Sequence, residues 1–239
     1  QARWFSLLFD ERDNIRAALS WANDTGDVEA GMYITSGLDR FWDNFDIREG
    51  LGWLDEFLHK PKSKAYPVAR AKALCTQGRY LEYLQQSVQA RSAAHESLDL
   101  CRAYGDKEGE IDALLLLGLM SDPLTSIELN LQALALAQAL DDTLRQADAL
   151  NNLGFDNRDI KTRVGYWENA IALYREAGDL RDLAWLLGYL GFFLALNGDI
   201  EPAEKCLDES NLLVQQLQPG SFVSNVAKDG YAQLAFMRG

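Results

Sequence analysis

Apolar residues recur at a helical spacing along most of this chain. The clearest case is a stripe in which successive members are three or four residues apart: Leu183, Leu186, Leu187, Leu190 and Leu194. This spacing places all five side chains on one face of an α-helix. No comparable segment alternates between apolar and polar residues with the period of two that a strand requires. The pattern predicts an all-α protein.

The helical pattern is itself repeated. Three apolar pentads, LLLLG, LNNLG and LGYLG, end at Gly118, Gly154 and Gly191, at intervals of 36 and 37 residues. A polar turn precedes each pentad at the same distance: Gly105-Asp106, Asp141-Asp142 and Gly178-Asp179. Self-similarity at such a period is typical of repeat proteins built from stacked helix pairs.

Each pentad places a glycine inside a predicted helix, where it costs about 1 kcal/mol relative to alanine. The repeated position indicates a close approach of the second helix of each pair, because any side chain there would hold the two backbones apart. Replacement of Gly154 or Gly191 by leucine is therefore expected to destabilise the fold by overpacking.

One repeat carries the residues of a known family, in the order Leu187-x-x-Leu190-Gly191-x-x-Leu194, Gly198-Asp199, Ala203-x-x-x-Leu207 and Ser210. This order resembles the tetratricopeptide repeat (TPR), with leucine in place of the family's aromatic residues and without its terminal proline. The resemblance implies a right-handed α-α superhelix of about five to six antiparallel helix pairs. The first helix of each pair would line its concave face.

The first 60 residues carry a second resemblance. They contain Glu11-Arg12-Asp13-Asn14-Ile15-Arg16-Ala17-Ala18-Leu19-Ser20-Trp21, Gly26-Asp27, Arg40-Phe41-Trp42 and Arg48-Glu49-Gly50-Leu51-Gly52-Trp53-Leu54. This phrase is similar to the segment that follows the ATPase and winged-helix domains of bacterial STAND/NB-ARC regulators of the LuxR and SARP type. We interpret 1–60 as divergent helical repeats and 67–239 as about four TPR-like repeats, the last one truncated.

Charge and composition exclude several classes of function. The chain has 239 residues, 48% of them hydrophobic, and a formal net charge of −13. Nucleic acids and acidic membranes require a basic patch, so we expect no direct nucleic-acid contact and no membrane binding from this chain. Its three cysteines show no metal or redox spacing, which fits a reducing cytoplasm.

No catalytic constellation or cofactor motif emerges from the sequence. It has no glycine-rich phosphate loop, and His59 and His95 have no ligand partner at a metal-binding spacing. Asp141-Asp142 resembles the paired aspartates with which helical terpenoid synthases hold Mg²⁺, so a metal-dependent helical enzyme domain is an alternative. The pair also occupies the capping position of the repeat turn, which favours a structural role. We expect no enzyme activity, cofactor or metal.

The repeat register assigns side chains to the concave face. The candidate partner-binding residues are Lys72, Arg79, Asp112, Asp148, Asn151, Phe155, Trp185 and Phe192. Such a face would be acidic, with aromatic residues toward its C-terminal end. In the alternative interpretation, Trp185 and Phe192 are buried against the neighbouring repeat, because aromatic residues at helical spacing are more often core residues.

These features predict a cytoplasmic interaction or sensing module of a larger bacterial signalling or transcription-regulatory protein. The expected ligand is a partner protein, a peptide or a small inducer. A first residue of Gln1 rather than methionine agrees with a fragment of a longer protein. A self-associating structural spacer is a further alternative.

The C-terminal segment predicts self-association. Residues 226–239 match the first helix of a repeat, with Gly239 in register with Gly198. An apolar stripe would then have no second helix to pack on: Tyr231, Leu234, Ala235 and Met237. Solenoid ends normally carry a polar cap, and this end has none.

We therefore expect either a homodimer through the C-terminal end or a last helix that is frayed. The dimer would have two-fold symmetry because an isologous contact closes on itself. Light scattering should give a dimer for this chain and a monomer for a version extended by a second helix. A monomeric chain with an ordered last helix would contradict this expectation.

Overall fold

The fold is all α-helical in the part of the chain that the structure, a computed structural model, describes: residues 7–217 and 223–238. These residues form helices and turns and contain no strand, so the predicted fold class is confirmed. None of the described helices is long and apolar enough to cross a membrane.

The helices divide between two compact units, one within Arg3–Ala139 and one within Leu140–Gly239, called here the N-terminal and C-terminal units. The N-terminal unit contains α1 (Arg12–Thr25), α2 (Val28–Gly37), α3 (Asp39–Phe45), α4 (Ile47–His59), a 3₁₀ helix (Pro61–Ala65), α5 (Pro67–Tyr83), α6 (Ser87–Tyr104), α7 (Lys107–Leu119) and α8 (Pro123–Ala139). The C-terminal unit contains α9 (Thr143–Asp156), α10 (Ile160–Ala177), α11 (Leu180–Leu196), α12 (Ile200–Gln216) and α13 (Val223–Arg238). The division of repeat types near residue 60 stays a prediction.

Neighbouring helices pack as pairs within each unit. In the N-terminal unit α5 packs on α6 and α7 on α8, and in the C-terminal unit α9 packs on α10 and α11 on α12. First helices of successive pairs also meet, α5 with α7 and α11 with α13. Both units thus have the packing of a helical-repeat protein.

The predicted Gly-Asp turns end one helix and begin the next. Gly105 and Gly178 both adopt a φ of +73°, a left-handed conformation that closes a helix and that glycine tolerates without strain. Asp106 and Asp179 then cap the following helices, each accepting a hydrogen bond from the backbone N–H three residues later, at 2.9 and 3.2 Å. Each cap thus provides an acceptor for a backbone N–H of the first helical turn, which has no partner within the helix.

The glycines of the pentads lie where paired helices approach closely. Gly154 of α9 faces the indole ring of Trp167 in α10, and a methyl group on Gly154 would collide with that ring. A methyl group on Gly191 of α11 would lie 2.7 Å from Leu207 Cγ and 3.1 Å from the carbonyl oxygen of Ala203, both in α12. The close-approach explanation of these glycines is confirmed.

Two further glycines hold equivalent positions that the pentad pattern missed. A methyl group on Gly78 of α5 would lie 3.1 Å from the carbonyl oxygen of Ala90 in α6. Gly230 of α13 faces Leu207, the same side chain that faces Gly191. Neither glycine follows an apolar pentad, so the sequence pattern gave no signal for them.

The segment of residues 11–54 that carries the second resemblance contributes packing residues to the N-terminal unit. Trp42 and Leu54 are buried, and Arg16 of α1 forms a two-pronged ion pair with Glu49 of α4, at 2.7 and 2.6 Å. Trp21 is exposed instead. Trp42, Leu54, Arg16 and Glu49 of this segment therefore have a structural role within the unit.

The last helix, α13, packs on α11 and α12. Leu234 is buried against these two helices and Tyr231 is partly buried beside it. The preceding repeat thus covers these two side chains, so the expected uncovered stripe does not include them. Ala235 and Phe236 are exposed there, Phe236 at 80%. Gly239 and the side chain of Met237 lie outside the described residues, and the dimer stays a prediction.

The glycine contacts predict a sharp difference between positions in the C-terminal unit. Gly154→Ala and Gly191→Ala should each lower the free energy of unfolding by about 1–3 kcal/mol, because the new methyl group overpacks the helix contact. Gly165, inside α10, has no atom within 4 Å of where a methyl group would lie. Gly165→Ala should therefore raise the free energy of unfolding by about 0.5–1 kcal/mol.

Urea denaturation followed by circular dichroism measures all three variants. Equal stability of Gly154→Ala and Gly165→Ala would show that close approach does not explain the pentad glycines.

Candidate binding surface

Three of the predicted partner-binding residues lie in the N-terminal unit. Lys72 is exposed on α5. Arg79 of the same helix donates to Asp39 Oδ2 at 2.9 Å. Asp112 of α7 lies close enough to Cys75 to affect it: burial raises the pKa of the Cys75 thiol to about 12, and the Asp112 charge adds to the effect. The Arg79 guanidinium is thus engaged within its own unit.

The other five predicted residues lie in the C-terminal unit: Asp148, Asn151, Phe155, Trp185 and Phe192. The structure brings Phe155 of α9 and Trp185 of α11 together, with ring centroids 5.5 Å apart. Trp185 and Phe192 are both partly buried, so each of the two interpretations of these residues holds in part. The described ring contacts of α11 beyond Trp185 come from Tyr189 and Phe193.

Five rings on α9, α10 and α11 form one aromatic cluster: Phe155, Trp167, Trp185, Tyr189 and Phe193. Contacting centroids are 4.6 to 5.6 Å apart, the range in which aromatic pairs attract each other. Trp167 is buried, whereas Phe155 is 37% exposed. Phe155, Trp185 and Tyr189 each contact the other two, and we call these three rings the exposed edge.

Trp167 holds the aromatic cluster in place. Its indole Nε1 donates to the backbone carbonyl of Asn151 at 3.2 Å. The guanidinium of Arg163 lies over two rings of the cluster, 5.7 Å from the centroid of Trp167 and 5.0 Å from that of Phe193. Arg163 Nε also donates to the carbonyl of Asn157 at 2.9 Å. Two rings of the cluster therefore contact one guanidinium from its own unit by cation–π interaction, and the hydrogen bond to Asn157 holds that guanidinium in place.

Two carboxylates precede the exposed edge along its helices. Asp182 lies one turn before Trp185 on α11, and Asp148 lies two turns before Phe155 on α9. Asp148 Oδ1 accepts a hydrogen bond from the Tyr174 hydroxyl at 2.6 Å. Burial raises the pKa of Tyr174 well above its ordinary value, and the charges of Asp148 and Asp182 raise it further. Both carboxylates thus act on the same phenol.

Asn151 connects the carboxylates to the rings. It follows Asp148 by three residues and precedes Phe155 by four, so the three share one face of α9. Its side-chain Oδ1 is buried and has no hydrogen-bond partner among the residues that the structure describes. A buried acceptor without a donor costs free energy, so this atom lowers the stability of the packed unit.

Asp141-Asp142 forms the turn that the repeat register predicts. Asp141 has a φ of +53°, the left-handed conformation that glycine holds in the other turns. Asp142 accepts hydrogen bonds from the backbone N–H of Arg145 at 3.0 Å and from its guanidinium at 2.6 Å. Desolvation favours the neutral carboxyl group, but these bonds outweigh it and lower the pKa of Asp142. The geometry favours a cap over a metal ligand pair.

In residues 7–217 and 223–238, no group of three or more histidine, cysteine, aspartate or glutamate side chains is arranged to hold a metal ion.

Sequence reasoning missed four residues of the aromatic cluster and its support: Arg163, Trp167, Tyr189 and Phe193. On α11 the repeat register selected positions 185 and 192, whereas the rings of this helix that belong to the aromatic cluster are at positions 185, 189 and 193. Steps of three and of four residues both keep to one helical face, so the sequence alone could not choose between them. Trp167 lies on α10, the second helix of its pair. The register considered only the first helix of each pair, so it could not select Trp167.

No family model matches this chain. Its similarity to known sequences is limited to part of the chain. It is 28% identical over 142 residues to proteins named "Putative HTH-type transcriptional regulator" from Mycobacterium bovis and Mycobacterium tuberculosis. The match includes 55% of this chain and only 16% of the length of those relatives.

Among solved structures, the fold is similar to that of BtubC (BKLC) from P. vanneervenii. The TM-score is 0.64, the match covers 87% of this chain and 91% of the other, and sequence identity is 19%. At this identity the likeness concerns the fold alone.

The raised pKa of Tyr174, caused first by burial and then by the neighbouring carboxylates, predicts how stability changes at high pH. The folded state holds the Tyr174 proton above the ordinary pKa of 10.0, so its contribution to stability is full below about pH 10 and is lost as the pH rises through the higher folded-state value. Tyr174→Phe should show a smaller loss of stability than the unmodified chain above about pH 10.

Urea denaturation at a series of pH values from neutral to strongly alkaline measures this loss. Tyr104→Phe is the matched control, since Tyr104 is 61% exposed, and should retain the full alkaline loss. The prediction fails if Tyr174→Phe loses as much stability as the control.

Proposed function

We propose that this chain is a TPR-like interaction or sensing module of a larger, cytoplasmic bacterial transcription-regulatory protein. It binds a partner protein, a peptide or a small inducer and performs no catalysis itself. The binding surface is the face of α9 and α11 that carries the exposed edge.

The observation that carries this proposal is the exposed edge. Phe155, Trp185 and Tyr189 are partly open to solvent, they contact one another, and the buried Trp167 packs against Phe155. Aromatic side chains are enriched in the parts of protein interfaces that contribute most to affinity. Rings that are already ordered lose little conformational entropy when a ligand binds, which favours affinity.

The regulatory context rests on a different observation. The curated relatives are named as transcriptional regulators, and the chain is similar to 16% of their length. A formal net charge of −13 disfavours contact with DNA. We therefore assign this chain the part that receives a ligand and leave DNA contact to other parts of such a protein.

Self-association is a second candidate function, and Phe236 favours it. This side chain is 80% exposed on the last helix, α13. The metal-dependent enzyme, in contrast, gains no support, because Asp142 is engaged as a helix cap.

A genetic experiment tests the proposed function in the host cell. Deletion of the gene should change a defined set of transcripts, and Trp185→Ala should change an overlapping set with the protein at its normal level. Tyr104→Ala removes an exposed ring outside the aromatic cluster and should leave the transcripts as they are.

Transcript sequencing with quantitative immunoblotting separates the outcomes. A deletion that changes no transcripts contradicts the regulatory role. A deletion that changes transcripts while Trp185→Ala behaves as the unmodified protein contradicts the binding surface.

A further inference from the structure

Asn197 is the one asparagine in this sequence that is followed by glycine. The pair forms the exposed turn between α11 and α12. The backbone nitrogen that follows an asparagine can attack the side-chain amide carbon, and a residue without a side chain hinders this attack least. Beyond its chain neighbours, Gly198 also has no heavy atom within 4 Å of where a side chain would begin. Asn197 is therefore the asparagine with the least hindered neighbour for this reaction.

The folded turn holds the two reacting groups apart. Nδ2 of Asn197 donates to the carbonyl oxygen of Phe193 at 2.8 Å, and the Gly198 N–H donates to the carbonyl oxygen of Ala195 at 3.1 Å. Asn197 has a ψ of −1°, which directs the Gly198 nitrogen away from the side-chain carbon. The reaction therefore requires the end of α11 to open.

This turn lacks a bond that the equivalent turns have. Three aspartates at the starts of other helices each accept a hydrogen bond from the backbone N–H three residues later: Asp106, Asp142 and Asp179. Asp199 holds the same position before α12, but its side chain makes no capping hydrogen bond among the described residues. Helix ends open more readily than helix centres, and a missing cap favours opening further. Brief opening of the turn is thus expected.

We infer that Asn197 is a site of spontaneous deamidation, which proceeds when the turn opens. In the open turn, the Gly198 nitrogen loses its proton to a solvent base and bonds to Cγ of Asn197. The Cγ–Nδ2 bond breaks, and Nδ2 takes up a proton and leaves as ammonia. Water then opens the succinimide ring at either of its carbonyl carbons, which gives aspartate or isoaspartate. The net reaction consumes water and no other reactant.

The product weakens the end of α11. A carboxylate in place of the amide cannot donate to the carbonyl of Phe193. Its negative charge also lies at the C-terminal end of a helix, where the helix dipole is negative as well. Isoaspartate in addition lengthens the backbone of the turn by a carbon atom. Because α11 carries Trp185 and Tyr189, the modification acts on the helix that presents two rings of the exposed edge.

Peptide mapping by mass spectrometry tests the inference on the intact chain. The folded protein is incubated in mildly alkaline buffer and digested at intervals, and each asparagine is followed by the mass gain that deamidation causes. Asn44 is the matched control, because its Nδ2 makes the same bond to the carbonyl four residues earlier, at 2.6 Å, but phenylalanine follows it. Asn197 should deamidate to both products, and Asn44 should remain an amide. In urea, Asn197 should deamidate faster.

A second measurement follows the consequence of the reaction. Asn197→Asp places a product at the turn from the start. The amide hydrogens at the end of α11 should then exchange with deuterium roughly two- to ten-fold faster, the factor that corresponds to the net contribution of a single hydrogen bond. Asn44→Asp removes the equivalent bond from the N-terminal unit and should leave exchange in α11 unchanged.

Several outcomes would overturn the inference. An Asn197 that stays an amide in the folded chain, while it deamidates in urea, would show that the turn does not open for the reaction. Equal rates at Asn197 and Asn44 would show that the following glycine has no effect, and equal rates with and without urea would show that the folded turn does not restrain the reaction. Unchanged exchange in Asn197→Asp would show that the product does not weaken α11.

Discussion

The contact between Gly154 and Trp167 underlies both the fold and the candidate site of the C-terminal unit. Because Gly154 has no side chain, the indole ring can lie directly against α9. That position lets its N–H reach the carbonyl of Asn151 and its ring support Phe155. The residue that joins two helices is therefore also the one that supports Phe155, a ring of the exposed edge. The repeated glycine thus has two effects: it allows the close helix contact, and through that contact it positions the surface that we propose for binding.

Ion pairs join helices in both units. In the N-terminal unit, Arg79 and Arg16 pair with Asp39 and Glu49 of other helices. In the C-terminal unit, Arg175 of α10 pairs with Glu209 of α12 at 2.8 Å. The sequence register distributes candidate residues over both units, but the predicted aromatic residues that contact each other, Phe155 and Trp185, lie in the C-terminal unit.

The sequence predicted the helices, their pairing and the turns well, because each depends on neighbours within about four residues. Asp142 shows this clearly: its place in the repeat predicted a cap, and it is a cap. The site was predicted only in part. Phe155 and Trp185 meet as the register indicated, but Tyr189 and Trp167 did not follow from it. Which of two adjacent helical positions faces a neighbour depends on helix rotation in the packed unit, and a single sequence contains no measure of that rotation.

Leu207 has a further consequence for how the C-terminal unit unfolds. Its side chain lies against Gly191 of its own helix pair and against Gly230 of the next helix, and it is fully buried. In repeat proteins, stability is approximately a sum of terms within each repeat and terms between neighbours. Leu207 contributes both to the packing within its own repeat and to the interface with the next helix. Because one side chain serves both contacts, loss of α13 also loosens the contact between α11 and α12. The end of this unit should therefore exchange its amide hydrogens in one cooperative step rather than fraying helix by helix.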